Sequence, residues 1–210
     1  EPPLQTTDAN ASEAVVPANA GSASIPAEDS ASSTEALDTA PRIAVETARI
    51  AGSISLLGGR VDDLYLKDYN TTIEEDAPTV RLLSPAGSTD AYYALYGWAP
   101  GAGISPDQVP GPSTLWSLSD GETLSVDAPV TLTWDNEAGQ VFSRTISIDE
   151  NYMFKIDQTI TNSAENSVSL APYGLIARHG IPSDAQNFFI LHEGLVTMNC
   201  LRPLGTISPI

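Results

Sequence analysis

The chain has a single cysteine, Cys200, in 210 residues. No internal disulfide can form, which excludes the small disulfide-stapled secreted domains. An oxidising compartment stays open, because domains of this size hold together there without bridges. Basic residues are scarce too: nine Lys and Arg stand against 27 Asp and Glu, a formal net charge of -18. A field of that sign repels phosphate backbones and anionic headgroups, so it argues against nucleic-acid binding and against docking through a polybasic patch. No apolar run approaches the roughly 18–20 residues that cross a bilayer as a helix. Residue 1 is Glu rather than Met, and no basic stretch followed by an apolar one opens the chain. The sequence therefore reads as a fragment or processed product whose targeting segment lies elsewhere.

Residues 1–41 lack aromatic residues, Lys and Arg altogether. Their Ala, Ser, Thr, Pro and acidic content cannot bury enough apolar surface to offset the entropy of ordering, which predicts a disordered acidic linker. From Arg42 the composition changes, and every Trp, Tyr and Phe lies beyond it. One domain, residues 42–210, is long enough to enclose a core.

Within that domain the dominant pattern has a period of two. Val130, Leu132 and Trp134 alternate with Thr131 and Thr133, and Asp135 to Gly139 reads as a turn. Gln140 to Ile148 then sets Phe142, Arg144, Ile146 and Ile148 against Val141, Ser143, Thr145 and Ser147. Tyr152 to Thr161 continues the alternation after a second turn, giving an antiparallel meander. Upstream, Arg42 to Ile50 and Arg60 to Tyr69 read as strands, and the Gly58-Gly59 pair between them suits a tight turn. Asp62 and Asp63 mark a bulge or corner. Val80 to Leu83, the aromatic Ala91 to Trp98, Ser167 to Arg178 and Phe188 to His192 supply further strands. No comparable stretch keeps a helical period, which predicts an all-β, antiparallel β-sandwich. The Gly/Pro-rich segment Ala99 to Ser113 is a long loop, of a length usually functional or mobile.

Candidate chemistry is sparse. The two histidines, His179 and His192, sit at strand ends, with Glu193 beside the second. A His with a Glu across a sandwich cleft could perform general acid–base work of the mutarotase kind. The simpler reading has each His closing a strand end or meeting a nearby carboxylate. No Gly-x-Ser-x-Gly turn presents a nucleophile, and Cys200 reads as a passive thiol. Two His and one Cys lack zinc-ligand spacing, and neither Asp62-Asp63 nor Glu74-Glu75-Asp76 has the rhythm of a calcium loop. No cofactor is implied. The remaining feature is the aromatic strand with its Gly/Pro loop, where Tyr93, Trp98 or Trp116 could face a partner. Core burial is favoured for Tyr96 and Trp134, and the loop-flanking Trp98 and Trp116 are open between core and surface.

Several segments taken in order resemble one family. They are Gly58-Gly-Arg-Val-Asp-Asp-Leu-Tyr-Leu-Lys-Asp-Tyr69, Arg81-Leu-Leu-Ser-Pro85, Ala91-Tyr-Tyr93, Gly97-Trp98 and Pro129-Val-Thr-Leu-Thr-Trp-Asp-Asn136. Val141-Phe-Ser-Arg-Thr-Ile146, Asn151-Tyr-Met-Phe154, Arg178-His-Gly180 and Ile190-Leu-His-Glu-Gly194 continue the likeness. Together they resemble the periplasmic domain of YidC-type membrane protein insertases of the alphaproteobacterial kind, over roughly residues 42–196. The resemblance implies a β-supersandwich similar to galactose mutarotase, without an enzymatic role, on the periplasmic side of the bacterial inner membrane. It also implies docking toward Sec translocon accessory subunits and nascent membrane proteins, as part of a membrane-anchored parent. No catalytic or cofactor residue is carried over, since the family's membrane bundle has no counterpart in these segments. After Gly194 the likeness ends in a tail, residues 195–210, without acidic residues. That departure predicts a sandwich incomplete at its C-terminal end, with an exposed edge strand. Two other readings are a carbohydrate-binding or aldose-epimerase-like sandwich using His179 or His192 with Glu193, and a plain cell-surface adhesion sandwich.

Overall fold

A computed structural model describes residue 37, residues 39–180 and the backbone of residues 205–207. The fold is nearly all β, and its strands in chain order are β1 (Arg42–Glu46), β2 (Ile50–Ser55), β3 (Arg60–Asn70), β4 (Thr79–Leu83), β5 (Tyr92–Pro100), β6 (Ser117–Asp120), β7 (Thr123–Leu124), β8 (Val130–Asp135), β9 (Gln140–Ile148), β10 (Phe154–Asn162), β11 (Val168–Arg178) and β12 (Gly205–Ile207). One eight-stranded sheet runs β12-β11-β5-β3-β2-β1-β7, with β4 also paired to β3; the second sheet is the four-stranded β10-β9-β8-β6. All pairings are antiparallel except β1 with β7.

Alternation puts one face of each sheet inside. Ile43 and Val45 of β1, Ile50 and Ile54 of β2 and Val61 and Leu64 of β3 meet Val130 and Leu132 of β8 and Phe142, Ile146 and Ile148 of β9 in one cluster. Fully burying such a side chain contributes about 1.5–3 kcal/mol. Trp134 and Tyr96 are half-buried against the same cluster. The β2–β3 turn sits on Gly58 and Gly59, at φ +74° and +59°. The register between β2 and β3 shifts where Asp62 is inserted, so Asp62 and Asp63 form the bulge that the sequence suggests.

Three features depart from the sequence expectation. The stretch Arg42 to Ile50 is not one strand: Thr47 Oγ1 accepts from the backbone N–H groups of Arg49 and Ile50 at 3.1 and 2.9 Å, which turns the chain into β2. Residues 117–124 add two short strands that carry no clear alternation. The segment Ala99 to Ser113 is tied down rather than loose. Gly101 N–H donates to Ser169 O and Ser169 N–H to Ala102 O, both at 2.8 Å, Ile104 and Val109 join the core, and Asn136 Nδ2 donates to Gln108 O at 3.0 Å. Asn136, Gln140 and Asn162 continue this tie as a side-chain amide chain, with Asn136 Nδ2 to Gln140 Oε1 and Gln140 Nε2 to Asn162 Oδ1 at 2.8 Å each. They close one end of the sandwich around buried polar groups that are hydrogen-bonded, as burial requires.

The predicted linker falls almost wholly outside the described residues, as do the strand read at 188–192 and most of the tail 195–210. Within that tail, the backbone of β12 pairs along Val168–Leu170 of β11.

Candidate functional site

The three aromatic residues considered as a partner surface do not form one. Tyr93, Trp98 and Trp116 are each 2% exposed. Trp98 stacks on Trp116 at 6.1 Å and meets Phe142 edge-on at 5.1 Å. Both Trp rings that flank the loop pack into the core, where they lie against a buried cation. Arg144, on β9 and 0% exposed, crosses the interior of the sandwich. Its Nη1 donates to Gly59 O at 2.9 Å and its Nη2 to Tyr96 O. Its guanidinium lies 4.6 Å from the ring of Trp116 and 5.8 Å from that of Trp98. Burial depresses its pKa to about 10, which leaves it charged at neutral pH. Glycine suits position 59 on two counts: its φ is +59°, and a Cβ there would stand 2.5 Å from Arg144 Nη1, so the guanidinium would have to shift.

His179 follows β11 directly, and its backbone N–H donates to Ala91 O at 2.8 Å. Its ring lies 5.9 Å from that of Tyr93, and the Arg60 guanidinium lies 5.7 Å from the same tyrosine ring. His192 and Glu193 lie outside the described residues. The paired acids considered for calcium are separate features. Asp62 bonds Arg42, and Asp63 meets Arg81 Nη2 at 2.7 Å. Burial raises the Asp62 pKa, against the opposing pull of its Arg42 partner. Among the described residues no group of three or more His, Cys, Asp and Glu is arranged to hold a metal.

At the end of the sandwich away from the amide chain lies a cleft of about 290 Å³, lined by Thr47, Ala48, Arg49, Val126, Glu150 and Asn151. Here the two sheets are joined by polar contacts. Tyr152 Oη donates to Asp68 Oδ2 at 2.7 Å, and the bond raises the Tyr152 pKa because it stabilises the protonated phenol. The Arg49 guanidinium lies 5.4 Å above the Tyr152 ring, with its Nε 3.5 Å from Asp68. Tyr152 takes a left-handed conformation, φ +69°, which costs on the order of 1 kcal/mol or more for a bulky residue. No local signal in the sequence marks this cleft, because none of its residues belongs to a recognisable motif; only their convergence from three turns makes it visible.

Each basic side chain among the described residues is already engaged. Arg42, Arg49, Lys67, Arg81 and Lys155 form ion pairs, while Arg60, Arg144 and Arg178 lie over aromatic rings. What faces solvent is thus dominated by carboxylates.

Residues 42–203 match the family model described as the YidC periplasmic domain. The chain belongs to that family. The YidC match extends past Gly194 to residue 203, so the likeness does not stop where the composition of the tail changes. The membrane protein insertase YidC of Roseobacter denitrificans is 64% identical over 159 residues, covering 76% of this chain and 26% of the relative. That of Ruegeria pomeroyi is 56% identical over 176 residues, 81% of this chain and 28% of the relative. The insertase YidC of Dinoroseobacter shibae is 54% identical over 159 residues, again 76% and 26% of the two chains. The chain thus spans about a quarter of the length of the curated relatives it matches. No helix among the described residues is long and apolar enough to cross a membrane.

Proposed function

We propose that this YidC periplasmic domain is a non-catalytic docking module of a membrane protein insertase. It works on the periplasmic side of the bacterial inner membrane, toward accessory subunits of the Sec translocon and the membrane proteins being inserted. The observation that carries this reading is the match to the YidC periplasmic domain over residues 42–203, on a sandwich of two packed sheets. The chemistry of the described residues agrees with it. The charged side chains that are buried serve as ties between strands and sheets: Arg144 spans the interior, and Asp62 is held by Arg42. His179 packs on a tyrosine.

The test is co-purification. In the Roseobacter insertase, the segment equivalent to residues 42–203 is deleted, and recovery of Sec accessory subunits with the insertase is compared. The expected outcome is loss of those subunits while the deleted protein still enters the membrane; equal recovery with and without the segment sinks the docking reading. The non-catalytic part is tested separately, on the purified chain. Aldose anomer interconversion that vanishes in His179→Ala would overturn it.

A further inference from the structure

We propose that the sandwich end built from the β1–β2 turn, the β3–β4 loop and the β9–β10 turn is a docking surface for a basic polypeptide segment that also carries apolar side chains. The inference deepens the docking reading and rests on it.

Apolar exposure carries the argument. Of the large hydrophobic side chains exposed among the described residues, three rise from this end: Tyr69 is 54% exposed, Ile73 106% and Met153 67%. They come from adjoining segments. Tyr69 follows Asp68 at the far end of β3, Met153 follows Tyr152, and the Tyr152–Asp68 hydrogen bond of 2.7 Å joins those two segments. Ile73 lies in the β3–β4 loop, whose ends are held by Thr71 N–H donating to Pro78 O at 2.9 Å. The cleft of about 290 Å³, lined from the β1–β2 and β9–β10 turns, opens at the same end. Single exposed apolar residues are ordinary on a surface, but several gathered at one end of a sandwich mark a site of contact.

The charge nearby selects the occupant. Glu74, Glu75, Asp76 and Glu150 are exposed and form no ion pair with another described residue. The two cations at this end, Arg49 and Lys67, are paired with Asp68 and Glu46. An anionic membrane or a nucleic acid meets repulsion here, and so does a second copy of this chain. A segment bearing Lys or Arg between apolar residues supplies both missing partners: cations for the four carboxylates, and side chains to cover Tyr69, Ile73 and Met153. Charge complementarity sets the approach and the register, and the apolar contacts hold the complex.

The experiment titrates the whole 210-residue chain into a fluorescent synthetic peptide of alternating Lys and Leu, reading anisotropy at low and moderate salt. Peptides of alternating Lys and Ser, and of alternating Glu and Leu, serve as comparisons. Binding of the Lys/Leu peptide is expected, weakened on the order of tenfold by Ile73→Ser with Met153→Ser, and by a similar factor when Glu74, Glu75 and Glu150 become Gln and Asp76 becomes Asn. All these positions are exposed, and circular dichroism verifies that the variants fold. A matched set at the opposite end, Asp107→Asn, Asp135→Asn, Glu137→Gln and Glu165→Gln, is expected to leave binding unchanged. Equal weakening by the matched set reveals non-specific attraction by net charge and overturns the proposal. So does equal binding of the Lys/Ser peptide, or displacement of the Lys/Leu peptide by vesicles of phosphatidylcholine, which would make this end a membrane contact. If the peptide ignores this end while the insertase still retains Sec subunits through the segment, the docking reading stands and only the location falls.

Discussion

A guanidinium inside a hydrophobic core loses several kcal/mol of hydration, and without compensation it would not stay there. Around Arg144 the compensation is two carbonyl oxygens and a wall of rings. Hydrogen bonds from a charged donor contribute about 1.5–3 kcal/mol each, and a desolvated cation–π contact about 2 kcal/mol. With its Nε buried and without a hydrogen-bond partner among the described residues, these gains at best offset the loss, so Arg144 adds little net stability; what it fixes is the spacing and orientation of β9 against β5 and the β2–β3 turn. Lysine keeps the charge, but its compact ammonium on a flexible stem cannot replace a planar fork that bridges Gly59 O and Tyr96 O over the ring of Trp116. Arg144→Lys should cost about 2–4 kcal/mol, since a buried charge is retained with fewer partners. Arg144→Met leaves two carbonyls unpaired but buries no charge, so it should cost less. Urea denaturation of the three proteins checks the order. A lysine variant as stable as the parent, or more stable than the methionine one, would show that the two-carbonyl clamp is not what makes arginine necessary.

At the scale of elements, β10 is a long strand with one open edge among the described residues. It pairs with β9 at nine consecutive positions without a bulge, and among the described residues no strand lies along its other side. Phe154, Ile156 and Ile160 on its inner face are only half-buried. A regular nine-residue edge of this kind is a template for pairing with another chain. The other edge of the same sheet, β6, has four residues and a register shift, which makes it a poor template. On β10 the exposed face instead carries Lys155 and Asp157, paired at 2.6 Å. Exposed ion pairs add at most about 1 kcal/mol to stability, so their larger effect is to make stacking of further strands unfavourable. Replacing both by valine should leave the melting temperature nearly unchanged and markedly accelerate the growth of light scattering on incubation. Unaltered scattering would remove the role assigned to the pair.

The meander containing β10 was legible because Val130 to Thr161 alternates with both faces distinct, a signal that needs no knowledge of the partner sheet. The same alternation already put Arg144 in register with Phe142, Ile146 and Ile148, so its burial could have been read from parity alone. The place of Trp98 and Trp116 could not: it depends on that cation and on Gly59, distant in sequence. The loop from Ala99 was likewise fixed by Asn136 and Ser169, and the cleft by turns around residues 48, 126 and 150. Such pairings leave no local pattern.

The whole molecule folds against its own charge. With a formal net charge of -18 and its described cations already committed to local partners, most pairwise charge interactions across the surface are repulsive. Two effects of salt therefore compete. Screening weakens the exposed ion pairs, such as Arg49–Asp68 and Lys155–Asp157, each worth about 0–1 kcal/mol. It also relieves repulsion among a larger number of carboxylates that form no ion pair among the described residues, an interaction that salt screens beyond a Debye length of about 10 Å at 0.1 M. The buried contacts of Arg144 and Asp62 are screened much less, because solvent ions cannot approach them. Repulsion should win, so the melting temperature should rise by a few degrees when NaCl is increased from ~20 to ~300 mM. Thermal denaturation followed by circular dichroism at neutral pH measures it. A melting temperature that falls as NaCl is added would mean that the surface ion pairs outweigh the repulsion, and the acidic excess would then have to be distributed far from the folded sandwich.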